Sequence, residues 1–482
     1  MDAQAFVATI ALLGAVIVVG ALLSGVVERT GLPQMAVLLA LGAALGPWGL
    51  GLVHPDLGDP FFRAVAILGL VLVLFTDAVA VSVAEVRRNG RLAFLLLGPG
   101  TVLVAALIAV AGWGLLGLAP APAAMLGAAL ASTDPVAVRT LVRRSGVPGP
   151  ARLALRLESG LNDVTLLPIV LVAMAVVAPA TAGASVAWGR LALDLLVLGP
   201  GAGVVVGFAG VALLDLVRRR VGMRREYESL YAFGVALTAY AAAEALHGSG
   251  FLAAFAAGLT IAAMDAELCD CFLDFGNATA EMFLLFTFVA LGSAPIWQGL
   301  EVLDLAALGF TAVALLVRTA VLRVALARTG LDARSLRLIV WFGPRGLSSL
   351  LLILLPVFAG LPGAERLFAL CSLVVLASVV VHGVAQLLLE RTLGPSSGAA
   401  QPASVAESQT PVAERERITL AELARLEQTG QAVVLLDVRK ESDWEKSELK
   451  AQGAIRVPPD AARERAAELA LPRQSWLVAY CA

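Results

Sequence analysis

Apolar runs of about 20 residues recur from the N-terminus to roughly residue 393, separated by short polar turns. A helical run of that length crosses a hydrocarbon core about 30 Å thick. The pattern predicts about 13 spans, near residues 4–28, 33–52, 62–83, 91–118, 121–144, 151–178, 187–216, 229–247, 250–264, 277–297, 302–327, 335–360 and 364–392. The first run, Phe6 to Val27, has no Lys or Arg ahead of it and is long enough to span, so it reads as a true helix rather than a cleaved leader.

The arginines support the count. Arg29 follows span 1, and Arg87, Arg88 and Arg91 follow span 3. Arg143, Arg144 and Arg152 follow span 5, Arg218, Arg219, Arg220, Arg224 and Arg225 follow span 7, and Arg328 and Arg334 follow span 11. The even-numbered loops hold Arg63, Arg190 and Arg366 and little else. The loop after span 9 is acidic instead, with Asp265, Glu267 and Asp270. The positive-inside rule then expects the odd loops and the C-terminus in the cytoplasm, with the N-terminus outside, and the membrane expected for the whole reading is a prokaryotic inner membrane.

Composition removes other classes. The chain of 482 residues is 59% hydrophobic and 15% charged, with mean hydropathy +0.87, which excludes a soluble globular protein. A net charge of −2 and the lack of a basic patch with interleaved aromatics set nucleic acid aside as a partner; membrane lipid and small cations remain. Cys269-Asp270-Cys271 is too tight a pair for zinc without other ligands, so the cysteines read as free thiols and no cofactor is expected. The lysines, Lys440, Lys446 and Lys450, all fall in the last segment, which marks a domain boundary. The divisions expected are a transmembrane domain over 1–393, a linker over 394–414 and a cytoplasmic domain over 415–482.

Two spans are interrupted. Span 5 breaks at Thr133-Asp134-Pro135 and span 12 at Gly343-Pro344-Arg345-Gly346. The two lie an odd number of spans apart and so cross the membrane in opposite directions. Broken helices at matching positions of two halves point to an inverted repeat with a site at the bilayer midplane. Pro135 removes a backbone donor, which frees carbonyls near Ser132 and Thr133 for a dehydrated cation or for water. A proline kink alone accounts for Pro135 but not for Asp134.

Span 6 carries Glu158-Ser159-Gly160-Leu161-Asn162-Asp163. Ser159 and Asp163 are four apart and share a helix face, which expects them to point together toward Asp134 while Glu158 points elsewhere. A buried carboxyl there holds either a proton or a cation, which couples the two ions. The bland alternative is that Asp163 pairs structurally with an arginine. Arg345 is a costly lone cation; Glu158 is its expected partner, and the rival reading is that it repels cations from a closed pathway. Asp77, in Phe75-Thr76-Asp77-Ala78, is either an accessory group of the site or a helix-end carboxylate facing water.

These motifs together, over about residues 5–393, resemble the monovalent cation/proton antiporters of the sodium/proton exchanger type. The resemblance implies an all-α polytopic fold of about 13 helices in an inverted repeat with broken crossing helices. It also implies a homodimer whose core domain moves as an elevator, with a role in pH homeostasis. It casts Asp163 as the ion- and proton-binding carboxylate, with Asp134, Ser159 and the Thr133 carbonyl as co-ligands of Na⁺. Asn162 would position Asp134 or the unwound backbone, and Glu158 and Arg345 would form a stabilising pair. Electrogenic relatives carry Asp-Asp where Asn162-Asp163 stands, which implies an electroneutral exchange here. Many relatives carry Phe-Glu-Gly-Gly-Leu where this chain has Phe75-Thr76-Asp77-Ala78-Val79.

In the tail, Val433 to Arg439 reads as a buried strand, and Trp476 to Tyr480 as a second strand ending at Cys481. Alternating strand and helix give an α/β class. Asp437-Val438-Arg439, Trp444-Glu445, Gly453-Ala454-Ile455 and a Cys after a strand resemble a rhodanese-like domain. Glu448-Leu449 stands where that family has Gly-His, and the chain ends one residue past Cys481, so sulfurtransferase activity is not expected of it. The expected function is therefore not enzymatic but exchange of Na⁺ or another monovalent cation for H⁺. A cation channel gated by the tail and a membrane-anchored sulfurtransferase are the rivals.

Overall fold

The computed structural model divides into two compact units, 1–399 and 400–482. It describes residues 34–52, 57–142 except 82, 146–181, 187–220, 225–264 and 282–390 except 284, and in the tail 432–439, 451–457 and 476–480, with a few isolated positions. Span 1, the acidic loop after span 9, the start of span 10, the linker and Cys481 lie outside the described residues.

The first unit is helical. Its main helices are α1 (Gln34–Leu45), α2 (Pro60–Val79), α3 (Gly90–Leu116), α4 (Pro120–Ala131), α5 (Pro135–Val142), α6 (Gly149–Thr181) and α7 (Trp188–Arg218). They continue as α8 (Arg225–Ala245), α9 (Gly250–Met264), α10 (Leu305–Ala325), α11 (Ala333–Trp341), α12 (Leu347–Phe358) and α13 (Ala364–Glu390). Among the described residues, six helices are long and apolar enough to cross a membrane, and five shorter apolar ones accompany them. Local chemistry sets their starts. Asp59 caps α2 by accepting from the Phe61 amide (2.8 Å), Asp304 caps α10 at the Ala307 amide (2.7 Å), and Asp332 caps α11 at the Ser335 amide (2.9 Å). Proline stands at the first position of α2, α4 and α5, where its missing N–H costs no helical bond. Inside α3, Pro99 widens one turn to a π segment (Leu96–Gly100), and the Thr101 hydroxyl satisfies the Leu96 carbonyl at 2.9 Å.

Both interruptions are present. Between α4 and α5 the chain is extended, with Ser132 at φ −62°, ψ 137°. Between α11 and α12 it runs through Phe342 at φ −88°, ψ 90° to Gly346. One buried core joins α2, α4, α6, α10, α12 and α13 around Phe310 and Phe368, and a second joins α2 to α7, α8 and α9 around Phe75. Helix α9 lies against α2 so closely that a Cβ on Gly258 would come within 2.7 Å of the Phe75 carbonyl.

The second unit holds a three-stranded parallel sheet in the order β2–β1–β3, with β1 Val433–Asp437, β2 Ile455–Arg456 and β3 Trp476–Tyr480. Parallel neighbours need long crossover connections, which fits the spacing between these strands.

Candidate cation site

The two breaks touch. The Asp134 amide donates to the Pro344 carbonyl at 2.9 Å, a backbone bond between two extended segments that neither helix could make if it were continuous. A Cβ on Gly346 would lie 2.7 Å from Asp134 Oδ2 and from the Met35 sulfur, so glycine is what lets the second break close on the first. Ser132, Thr133, Asp134, Glu158, Ser159, Asn162, Asp163 and Arg345 are all buried.

Within this crossing the carboxylates are in unlike surroundings. Glu158 is held side-on by Arg318 of α10, with Nε on Oε1 at 2.7 Å and Nη2 on Oε2 at 2.6 Å. Arg318 also donates to the Val340 carbonyl at 3.0 Å, and the Thr133 hydroxyl adds a weaker bond to Glu158 at 3.3 Å. Asp163 has no such basic partner among the described residues. The Ser132 hydroxyl donates to its Oδ1 at 2.6 Å, Ser348 at the start of α12 is a second hydroxyl partner, and Asp77 and Asp134 face it as neighbouring acids. Asp77 is buried in the last turn of α2 rather than facing water.

Two expectations are corrected. The partner of Glu158 is Arg318, not Arg345. Arg345 instead donates through Nη1 to the Ala131 (2.8 Å) and Ser132 (3.1 Å) carbonyls, the orphan acceptors at the C-terminus of α4. The bidentate fork needs a guanidinium beside the second break, and Arg318 reaches it because Gly343 has no side chain; a Cβ there would sit 2.5 Å from the guanidinium carbon. The second correction concerns the hydroxyl. Ser159 is buried on α6, but among the described residues it makes no hydrogen bond to Asp134 or Asp163. The extended segment carries Ser132 to Asp163 instead. A helical face argument finds neighbours on one helix and misses a partner delivered by unwound backbone.

The Asn162 amide oxygen and nitrogen, and Nε and Nη2 of Arg345, are buried without a hydrogen-bond partner among the described residues. Buried polar atoms of this kind are normally satisfied by water or an ion. No cluster of three His, Cys, Asp or Glu side chains able to hold a resident metal occurs among the described residues. The donor set of carboxylates, hydroxyls and carbonyls suits a hard monovalent cation passing through.

The chain is 28% identical over 381 residues to the K⁺/H⁺ antiporter NhaP2 of Shewanella sp. strain ANA-3, covering 77% of this chain and 65% of the relative. It is 26% identical over 384 residues to the K⁺/H⁺ antiporter NhaP of Alkalimonas amylolytica, covering 78% and 65%. It thus spans about 65% of the length of these curated relatives. The solved structure of the sodium proton antiporter MjNhaP1 from Methanocaldococcus jannaschii at pH 8 superposes with a TM-score of 0.63 at 20% identity, over 81% of this chain and 99% of that one. The model of the transmembrane sodium/hydrogen exchangers matches residues 14–388, and the chain belongs to that family.

Proposed function

We propose that this protein is a secondary antiporter that exchanges a monovalent alkali cation for protons, and that Asp163 is the group on which the two ions compete. One observation carries the reading. Of the two acids on this stretch of α6, Glu158 is neutralised by Arg318, whereas Asp163 meets hydroxyls and other acids. The charge of a carboxylate so placed is balanced by a bound proton or a bound cation. Asp134, Ser132 and the Thr133 carbonyl are the proposed co-ligands, with Asn162 orienting the unwound segment. Asp77 adds negative potential at the same depth.

The exchange is one proton for one cation, because a neutral Asn162 stands beside Asp163. Access alternates by an elevator movement in a homodimer, with the N-terminus outside and the rhodanese-like tail in the cytoplasm. The named relatives are K⁺/H⁺ antiporters and the structural neighbour is a sodium proton antiporter, so both cations are candidates.

In proteoliposomes with an imposed pH gradient, Na⁺ or K⁺ should dissipate the gradient, and Asp163→Asn should abolish this. Normal transport by Asp163→Asn refutes the assignment, and single-channel currents without proton coupling refute antiport. Clamping the membrane potential with valinomycin and K⁺ should leave a Na⁺-driven rate unchanged if the cycle is electroneutral.

A further inference from the structure

The second break is also held from a side that the transport reading does not use. Helix α13 lays Ser378 and His382, one turn apart and both buried, along it. The Arg345 amide, freed by the unwinding, donates to Ser378 Oγ at 2.7 Å. His382 Nδ1 lies 3.1 Å from that same Oγ and 3.2 Å from the Ser378 carbonyl. The imidazole ring stands 6.4 Å from the Trp341 ring and edge-on to Phe342 at 6.2 Å, and the Trp341 backbone carbonyl is its other hydrogen-bond partner. Through Ser378, His382 therefore connects the carbonyl where α11 ends to the amide just before α12 begins.

We propose that His382 and Ser378 are positioning residues that brace the unwound segment 342–346, and that protonation of His382 releases the brace. This rests on the antiport reading for its consequence, though not for the switch itself. A hydroxyl has one proton. With Nδ1 unprotonated, the chain of donors runs one way, from the Arg345 amide to Ser378 Oγ and from the Ser378 hydroxyl to Nδ1. With Nδ1 protonated, the ring becomes a donor to the Ser378 carbonyl, and the hydroxyl loses its acceptor. Protonation also sets a cation beside Arg345 and Arg318, the charged groups that face the ring, with Glu158 already committed to Arg318. Helix α12 presents only serines and apolar side chains, α1 and α4 present no ionisable group, and the short turn that ends at Glu301 meets α13 through Gly299, near Leu373. The imidazole is thus the titrating member of this contact.

Two measurements on the intact protein test the brace. The first is the fluorescence of Trp341, taken as wild type minus Trp341→Phe, from about pH 8 down through the acid range in which the protein stays folded. An imidazolium beside the indole quenches it, so a titration step is expected that His382→Gln removes. The second is the pH profile of cation-driven proton flux. His382→Gln can accept the Ser378 proton but cannot titrate, so its rate relative to wild type should rise about three- to tenfold between about pH 8 and the acid pH at which the fluorescence step is complete, the equilibrium equivalent of one buried hydrogen bond. Ser378→Ala should remove that difference. A fluorescence step that persists in His382→Gln, or a His382→Gln flux profile that parallels wild type, overturns the proposal. A His382-dependent fluorescence step in a protein with no coupled flux leaves the switch standing and refutes antiport instead. If His382→Gln does not fold, His382→Asn and Ser378→Ala carry the same test.

Discussion

The assignment of Glu158 to Arg318 rather than to Arg345 makes a quantitative prediction. Both side chains of the pair are buried, with two N–O contacts of 2.6 and 2.7 Å. For charge centres about 4 Å apart at an effective dielectric of about 20, the Coulomb attraction is about 4 kcal/mol. Removing one partner leaves a charge buried without its mate, which costs about 3–5 kcal/mol. Arg318→Met should therefore be severely destabilising, the more so because the Val340 carbonyl also loses a donor. Glu158→Gln should be comparably damaging. The double variant removes both charges and should recover part of the loss, giving a coupling of about 2–4 kcal/mol. The matching cycle with Glu158→Gln and Arg345→Met should give less than about 1 kcal/mol, because Arg345 donates through Nη1 to helix-end carbonyls and makes no hydrogen bond to Glu158 among the described residues. Reversible unfolding in mixed micelles, followed by circular dichroism, supplies the free energies. A larger coupling to Arg345 than to Arg318 would show that the pairing drawn here is wrong.

Other outcomes follow from individual contacts. Ser132→Ala removes a charge-assisted bond to Asp163, worth about 1.5–3 kcal/mol, and should raise the KM for the cation roughly tenfold or more; an unchanged KM would reduce Ser132 to packing. Gly343→Ala drives a methyl into the Arg318 guanidinium and should cost about 1–3 kcal/mol of stability, whereas Gly160→Ala, inside the sequence motif but with nothing within 4 Å of a new Cβ, should be neutral or slightly stabilising; thermal melts of both check the contrast. In the tail, hydrogen bonds from Arg439 and Tyr480 hold the Asp437 carboxyl far below the usual carboxylate range. A carboxyl depressed on folding contributes stability that is present above its unfolded value and lost as pH falls through its folded one. Pepsin should therefore cut the tail of the intact chain faster as pH drops below about 3.9, while Asp437→Asn should be cut readily throughout, and a flat wild-type profile would exclude this role.

The helices were legible because their signal is long and redundant, and the breaks because proline and glycine are poor helix formers that stand out inside an apolar run. The site acids were legible for a related reason, since an ionisable group in a membrane segment is costly and so stands out. Pairing was not legible. Glu158 was expected to meet Arg345 alone, and nothing in the sequence says that Arg318 of α10 is the arginine that crosses it in space. Ser132 was hidden because helical periodicity ends where the helix does, and an extended residue can turn its hydroxyl to either side. Glu244 shows the same limit at smaller scale. It has no evident partner in the sequence, yet it accepts from the Gly250 amide at 2.9 Å and caps α9 across the turn at His247, whose φ is +61°.

The crossing also accounts for two buried arginines where one would balance Glu158. Breaking a helix exposes a partly negative C-terminal end and a partly positive N-terminal end at bilayer depth. There are two breaks, hence two of each. Arg345 meets the C-terminal carbonyls of α4, and Arg318 with Thr319 meets the Val340 carbonyl near the end of α11. The two positive ends, at the starts of α5 and α12, both lie against Asp134, which precedes Pro135 and approaches Gly346. The fixed charges of the crossing are thus matched end by end, with Glu158 balancing Arg318. Asp163 lies outside that matching. It is reached by the Ser132 hydroxyl from one broken helix and by Ser348 from the other, so whatever binds there is felt by both. Replacing Arg345 by Met should therefore unsettle α4 and weaken cation binding, while Asp163→Asn should remove binding and leave the fold intact; if isothermal titration and melting curves showed the reverse, this division of labour would be untenable.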